Sequence, residues 1–411
     1  MCAYPSLKRS SRVLSETTFS AISLASMSLP EFQDFLYFGE RQRYRSQDLY
    51  NLITASPSIH LALNIPPHPH IPHADESWNE IQIEDRDSMI LRSDPYFVPL
   101  LRLLKDERVP INSMKVKGLN WFNFPNTSAF RSAFIPFPHI CVLDLDSITC
   151  SKNDMKNLVA SMPKLIRLIL KGCKLQGEGG SVTTTILQRP TLQNFSIAVI
   201  DGDYSTWDLF ISPESPVDLS ALKQLFIEGD GVRLVFDRTM VFHIQALLDL
   251  TKPSLERFEI GYINMNRELY PLHIEHVQDL SAIISLTDDM DQMNSCVQWW
   301  TTTFLALPSE NQLEIVTIVV AVDQHKIQGG SMPLCDPRFW NALDDVLCRP
   351  EINLCELRFY IHAQPYYNYE YRYIPGYNYR GVMHWLCMHC LPRCRAKYES
   401  ASAFTLLDER F

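Results

Sequence analysis

The chain has 411 residues, 46% of them hydrophobic and 20% charged, with a formal net charge of −10. That balance suits a folded globular chain and argues against a general nucleic-acid surface, which needs clustered basic residues. Nowhere is there an apolar run of the roughly 18 residues a membrane span needs. The eleven cysteines are odd in number and scattered, so they read as reduced thiols of the cytoplasm or nucleus, not as a disulfide framework.

Residues 1–47 are polar and serine-rich, and they read as a partly disordered N-terminal segment. Lys8, Arg9 and Arg12 precede only a weak apolar stretch broken by Ser and Thr, which argues against a secretory signal. A more apolar segment runs from Leu29-Pro30-Glu31 to Phe38. Asp48–Ile53 predicts a short helix and Ser58–Leu63 a strand. In Pro66–His73, three histidines alternate with four prolines. Histidines this close suggest metal ligands, but the prolines hold an extended backbone and no carboxylate or thiol completes a site, so a polar surface loop is expected.

From residue 78 onward a spacing recurs. Leu165-Ile-Arg-Leu168-Ile-Leu170-Lys-Gly-Cys173-Lys-Leu175 fits the leucine-rich repeat template L-x-x-L-x-L-x-x-C-x-L. Leu168 and Leu170 are two apart on a strand and face one side, with Leu165 packed behind them. The first half of the template, with any apolar residue allowed, returns at Trp78-Ile81-Ile83, Ile111-Met114-Val116 and Ile140-Leu143-Leu145. It continues at Leu192-Phe195-Ile197, Leu222-Leu225-Ile227, Leu255-Phe258-Ile260, Leu313-Val316-Ile318 and Leu354-Leu357-Phe359. Most copies are about 25–33 residues apart, near the repeat's usual period. The step from Leu255 to Leu313 is twice that, and it either hides a degenerate copy near Leu280–Leu286 or marks an insertion.

Pro138, Pro163, Pro190 and Pro253 each stand two residues before a strand's first apolar position, where proline ends a helix and releases the chain. The returns themselves read as helices. Ser93-Asp94-Pro95 caps one that runs through Val98–Leu104. Ser151-x-x-Asp154 opens another, with Met155, Leu158, Val159 and Met162 on one face. Asp336-Pro337 opens a third, with Phe339, Leu343, Val346 and Leu347 on one face. The fold expected is α/β: a leucine-rich-repeat solenoid of about 9–10 irregular repeats over residues 48–395, with a parallel concave sheet and convex helices. Residues 396–411 are expected as a tail.

Several other stretches stand out. Residues 287–296 are acidic but lack calcium-loop spacing, and they read as a solvated loop. Cys141, Cys173 and Cys355 fall at apolar repeat positions and are expected as buried thiols. Residues 366–379 hold seven tyrosines, and Tyr366, Tyr369, Tyr371 and Tyr373 are candidates for an adhesive loop. His384, Cys387, Cys390 and Cys394 are weak metal candidates. With no second cysteine pair at the usual zinc spacing, the cysteines are expected to pack along one helix face, and Val382, Trp385 and Leu386 to cap the repeats. Phosphate-loop, nucleophile-elbow, dinucleotide and H-E-x-x-H motifs are absent. Gly177-Glu-Gly-Gly180 lacks the lysine of a phosphate cradle, and Asp144 and Asp146, two apart on a strand, are expected as contact residues, not an acid–base pair.

The repeat spacing, the prolines before the strands and the helical end after Leu357–Phe359 resemble the leucine-rich-repeat-like region of fungal F-box proteins. The resemblance implies a substrate receptor of a cullin-type ubiquitin ligase, in which an N-terminal F-box docks the ligase adaptor and the repeats hold the protein target. Leu29-Pro30-Glu31 resembles the F-box opening. Only 26 residues separate Glu31 from Ser58, so the F-box is expected as a remnant, truncated or missing.

Residues flanking the strand leucines would line the concave face: Lys115, Lys117, Asp144, Asp146, Arg167, Lys171, Phe226, Glu228, Arg257, Glu259, Arg358 and Tyr360. Mixed charge with aromatics suits protein recognition. The expected function is non-catalytic binding of a protein target without a cofactor, nucleic acid or membrane. The alternatives are a free-standing scaffold or inhibitor without a ubiquitin link, and a metal-binding protein or enzyme.

Overall fold

A computed structural model describes residues 80–84, 95, 97–105, 112–124, 127–134, 137–177, 189–199, 203–229, 234–261, 263–265, 269–286, 290–323, 336–364, 389, 391–400 and 404–408. The expected F-box remnant, the helix at 48–53, the strand at 58–63, the histidine–proline stretch, the tyrosine-rich loop and the cap at 382–386 lie outside these residues. The chain divides into two compact units. The first comprises residues 1–79 and 94–110, and its described part is helix α1 (Phe97–Leu104), on which Phe97 and Leu101, four apart, are buried.

The second unit, residues 80–93 and 111–411, is built on one open parallel sheet of eleven strands. Its strands are β1 (Glu80–Glu84), β2 (Ser113–Lys117), β3 (Val142–Asp146), β5 (Arg167–Lys171), β7 (Asn194–Val199) and β8 (Gln224–Gly229), then β10 (Arg257–Ile260), β12 (Asp279–Leu286), β13 (Ile315–Asp323), β14 (Glu356–Gln364) and β15 (Phe404–Asp408). Each pairs with the next in this order, so the sheet is laid down in chain order. Parallel neighbours need crossover connections, and in seven of the ten the described residues include a helix of this unit: α2 (Thr127–Phe134), α3 (Lys152–Ala160), α4 (Ser205–Ile211), α5 (Arg238–Thr251), α6 (Met290–Leu305), α7 (Pro337–Leu347) and α8 (Pro392–Ser400).

The register aligns the apolar positions into rows. Met114, Leu143, Leu168, Phe195, Leu225, Phe258, Leu280, Val316 and Leu357 are successive neighbours across the sheet. Val116, Leu145, Leu170, Ile197, Ile227, Ile260, Ala282, Ile318 and Phe359 form the second row, and every member of both rows is at most 1% exposed. Behind them the residues leading into the strands are also buried, among them Ile140, Leu165, Leu192 and Leu222. The two-residue spacing thus puts one face of the sheet in the core, and burying that face is the main drive for folding.

A turn recurs where the strands end. Gly118, Ser147 and Gly172, each the residue after a strand, all have positive φ, at 72°, 57° and 59°. The chain bends there, and Leu119, Ile148 and Cys173 drop into the core. The Gly118 and Ser147 N–H groups donate to Asp146 O and Lys171 O, the ends of the next strands. Two short strands, β4 (Thr149–Cys150) and β6 (Lys174–Leu175), then pair parallel, and β9 (Leu234–Phe236) and β11 (Ile263–Met265) make a second such ladder. The Cys173 thiol donates to Leu145 O, near the end of the preceding strand β3, at 3.4 Å. Burial pushes that thiol up to about 12.

The helix starts follow local chemistry. Ser151 caps α3, its hydroxyl accepting from the Asp154 N–H at 3.1 Å and donating to Asp154 Oδ2 at 2.7 Å, and Met155, Leu158, Val159 and Met162 are buried as the periodicity predicts. Asp336 caps α7, with Pro337 in its first turn and Leu343, Val346 and Leu347 buried. Pro138, Pro163 and Pro253 stand in the turns after α2, α3 and α5.

Of the two alternatives for the long step, the structure holds the degenerate copy near Leu280–Leu286: it is β12, entered by buried Val277 and carrying Leu280, Ala282 and Ile284 inward, with alanine in the second slot blurring the spacing. Three expectations are corrected. Residues 290–296 are not a solvated loop but the start of α6, on which Met293, Cys296, Val297, Trp300 and Phe304 are buried at helical spacing. The pattern is visible only when the window extends past residue 296. Of the cysteines expected in the core, Cys173 is buried, whereas Cys141 is half-buried and Cys355 exposed, because Ile140 and Leu354 beside them take the core positions. The sheet also continues past 395, where β15 falls in the segment expected as a tail.

Candidate recognition face

The strand residues between the buried rows form rows of their own. One runs Lys115, Asp144, Ile169, Ser196, Phe226, Glu259, Ser281, Thr317, Arg358 across nine strands. Flanking it are Lys117, Asp146 and Lys171 on one side and Arg167, Asn194, Gln224, Arg257 and Asp279 on the other. All twelve predicted face residues therefore stand on the central row or two positions to one side or the other of it. Glu228 and Tyr360 follow Phe226 and Arg358 by two, as Lys117 follows Lys115, and are in register with Ala198 and Val319.

At the N-terminal end, lysines meet carboxylates of the adjacent strand. Lys115 Nζ lies 3.6 Å from Asp144 Oδ2, and Lys117 Nζ lies 3.0 Å from Asp146 Oδ2. Each aspartate is thus matched to a cation, and the Ser147 hydroxyl donates to Asp146 Oδ1 at 2.8 Å. Opposite charges thus face one another across adjacent strands.

Toward the C-terminal end, Arg257 organises a second cluster. Its guanidinium lies 5.7 Å from the centre of the Phe226 ring, 3.2 Å from Glu259 Oε2 and 3.9 Å from Asp279 Oδ2. A cation over an aromatic face with carboxylates beside it is held in place yet remains partly exposed. Arg358 donates to Glu356 Oε2 at 2.7 Å. Burial pushes the Asp279 carboxyl above its ordinary range, against the pull of Arg257 and Arg358. Asp279 and Glu356 are face residues the sequence reading missed. Asp279 stands in the strand hidden by Ala282, and Glu356 stands one position before Leu357, as Arg257 stands before Phe258.

Of the weak metal candidates, His384, Cys387 and Cys390 lie outside the described residues. Cys394 is buried in α8, and its neighbour is Cys348, which sequence spacing did not single out. Among the described residues no helix is long and apolar enough to cross a membrane.

The architecture defines an α/β protein with a large open parallel sheet whose one face is lined by polar and charged rows. No protein-family model matches the chain, and no curated protein matches it in sequence.

Proposed function

We propose that the second unit is a leucine-rich-repeat-like solenoid that binds a protein target on the exposed face of its sheet. The observation that carries this reading is the continuous row from Lys115 to Arg358, one residue per strand, flanked by the Arg257–Phe226 cluster. Repeats stacked in chain order give an extended surface wider than a small-molecule pocket. Mixed charges with an arginine braced on an aromatic ring are what protein interfaces use as anchors. The binding is non-catalytic and takes place in the cytoplasm or nucleus.

The resemblance to fungal F-box proteins adds a finer reading: a receptor that presents its target to a cullin-type ubiquitin ligase. The second reading is a free-standing scaffold or inhibitor, favoured by the short interval between Glu31 and Ser58. Affinity capture of the tagged full chain from its own cells, read by mass spectrometry, tests both. Parallel samples lack residues 1–55 or carry Lys117→Glu with Arg257→Glu. A receptor brings down adaptor and cullin, loses them on truncation, and loses its target with the face variant alone. A target lost with the face variant, without ligase subunits in any sample, selects the scaffold. Capture that ignores the face variant overturns the recognition face.

A further inference from the structure

We propose that Asp344, Cys348 and Cys394 form a site for a borderline-soft divalent cation, zinc in the first instance, that staples α8 to α7. The three ligand atoms lie within 4.8 Å of one another. The two sulfurs are 3.6 Å apart. Tetrahedral zinc with its usual bonds to sulfur needs sulfurs about 3.8 Å apart, so the pair needs almost no movement to share an ion. Two sulfurs and one carboxylate favour zinc over magnesium or calcium, which take oxygen ligands.

The placement follows from the fold. Asp344 and Cys348 are four apart at the end of α7, so both side chains stand on one helix face. Cys394 comes from the first turn of α8 and is buried. Asp344 is almost fully buried, and its two oxygens accept the N–H groups of Cys394 at 2.7 Å and Arg393 at 2.9 Å. Those bonds aim the carboxylate at the α8 terminus and leave each oxygen a second lone pair. They also supply a purely structural reason for Asp344, but they do not account for two thiols brought together beside it. Cys348 is half-buried, which gives an ion a way in. Three protein ligands leave the fourth tetrahedral position to water.

The surrounding charges are compatible. Two thiolates and a carboxylate exceed the charge of one divalent cation by one. Lys397 stands close by, its ammonium bonded to the carbonyls of Cys348, Arg349 and Ile352. Arg393 pairs with Asp345 and acts as a second nearby cation on Cys348. The donor set differs from the cysteines that sequence spacing suggested, because its second thiol lies 46 residues upstream of Cys394.

The experiment is a cobalt(II) titration of the full-length chain, purified reduced and stripped of metal, with zinc then added in competition. Expected are a thiolate-to-cobalt charge-transfer band that saturates at one ion per chain, its loss on zinc addition, and its loss in Cys348→Ser and in Cys394→Ser. Asp344→Asn keeps a carbonyl for the helix cap and is expected to weaken cobalt binding. Cys348→Ser, at a half-buried position, serves where Cys394→Ser fails to fold by circular dichroism. In thermal melts zinc is expected to raise the midpoint of the native chain and not that of Cys348→Ser. A reduced, folded chain that gives no band, or a band that survives Cys348→Ser, overturns the site. So does reduced protein without a band whose unreduced form has lost two hydrogens, since the pair would then be a redox couple.

Discussion

Arg131 and Asp154 tie consecutive crossovers together. The guanidinium Nε of Arg131 in α2 stands 2.9 Å from Asp154 Oδ1 in α3, and Asp154 is only 5% exposed. The contact is ionic, without the alignment of a good hydrogen bond. A carboxylate buried this far depends on its partners, and its other oxygen already uses the Ser151 hydroxyl. Arg131→Ala is therefore expected to cost about 2–3 kcal/mol, by leaving a buried charge half-matched. Urea unfolding checks it, with a lower midpoint at unchanged slope. A change below about 0.5 kcal/mol would mean that water already screens the pair.

The turn after β3 carries a side chain where its neighbours carry none. Ser147 stands at φ 57°, in the position that Gly118 and Gly172 occupy after the adjoining strands. An L side chain is strained there, and glycine is not. Ser147→Gly is expected to stabilise the chain by up to about 1 kcal/mol, less the small loss of the hydroxyl's bond to Asp146. The same unfolding assay reads it, and a destabilised variant would show that the hydroxyl contact outweighs the backbone strain.

Ala282 sits in a row otherwise filled by Val, Leu, Ile and Phe. Helix α6, which packs on β12, carries the buried Trp300. Close-packed interiors resist added volume. Ala282→Leu, although it restores the repeat template, is expected to cost about 1–3 kcal/mol. A neutral or stabilised variant would reveal a cavity beside residue 282.

His276 sets a dependence on pH. It is 6% exposed, and neither ring nitrogen has a hydrogen-bond partner among the described residues. Burial lowers its pKa below the ordinary 6.5, aided by Lys252 and opposed by Glu275 and Asp249. The unfolded chain therefore takes up this proton before the folded chain does. The contribution is fully present above about pH 7 and is lost as pH falls through the unfolded value toward the lower folded one. The difference in stability between wild type and His276→Gln should shift against wild type from about pH 7 to 5. A difference that does not vary with pH would mean that the ring titrates normally.

The face pairs should matter little to folding. Lys117 and Asp146 are partly exposed and 3.0 Å apart. Exchanging them, as Lys117→Asp with Asp146→Lys, is expected to change stability by less than about 0.5 kcal/mol, since exposed pairs contribute little. Target capture should nonetheless fall, because the order of charges along the row is inverted. Loss of folding in this variant would instead make the pair a structural element.

Much of the sheet was readable in the chain because a buried strand face imposes a period of two and a parallel crossover imposes a return of similar length each time. The spacing around Leu143, Leu168, Phe195 and Leu225 follows from that physics, as do the cap at Ser151 and the proline after each of several helices. Periodicity also located most of the exposed face, since whatever alternates with a buried residue must point the other way.

Tertiary structure decided what periodicity does not encode. Ala282 hid a strand because its slot is defined by the space beside it, not by its hydrophobicity. Residues 290–296 looked like a loop because Asp291 lies on the exposed side of a helix whose buried side continues to Phe304. Pairings between neighbouring strands or helices, such as Arg257 with Phe226 and Arg131 with Asp154, depend on which elements become neighbours. The meeting of Cys348 with Cys394 is the clearest case. Residues 46 apart carry no local signal, and only the packing of α8 on α7 brings their sulfurs to 3.6 Å.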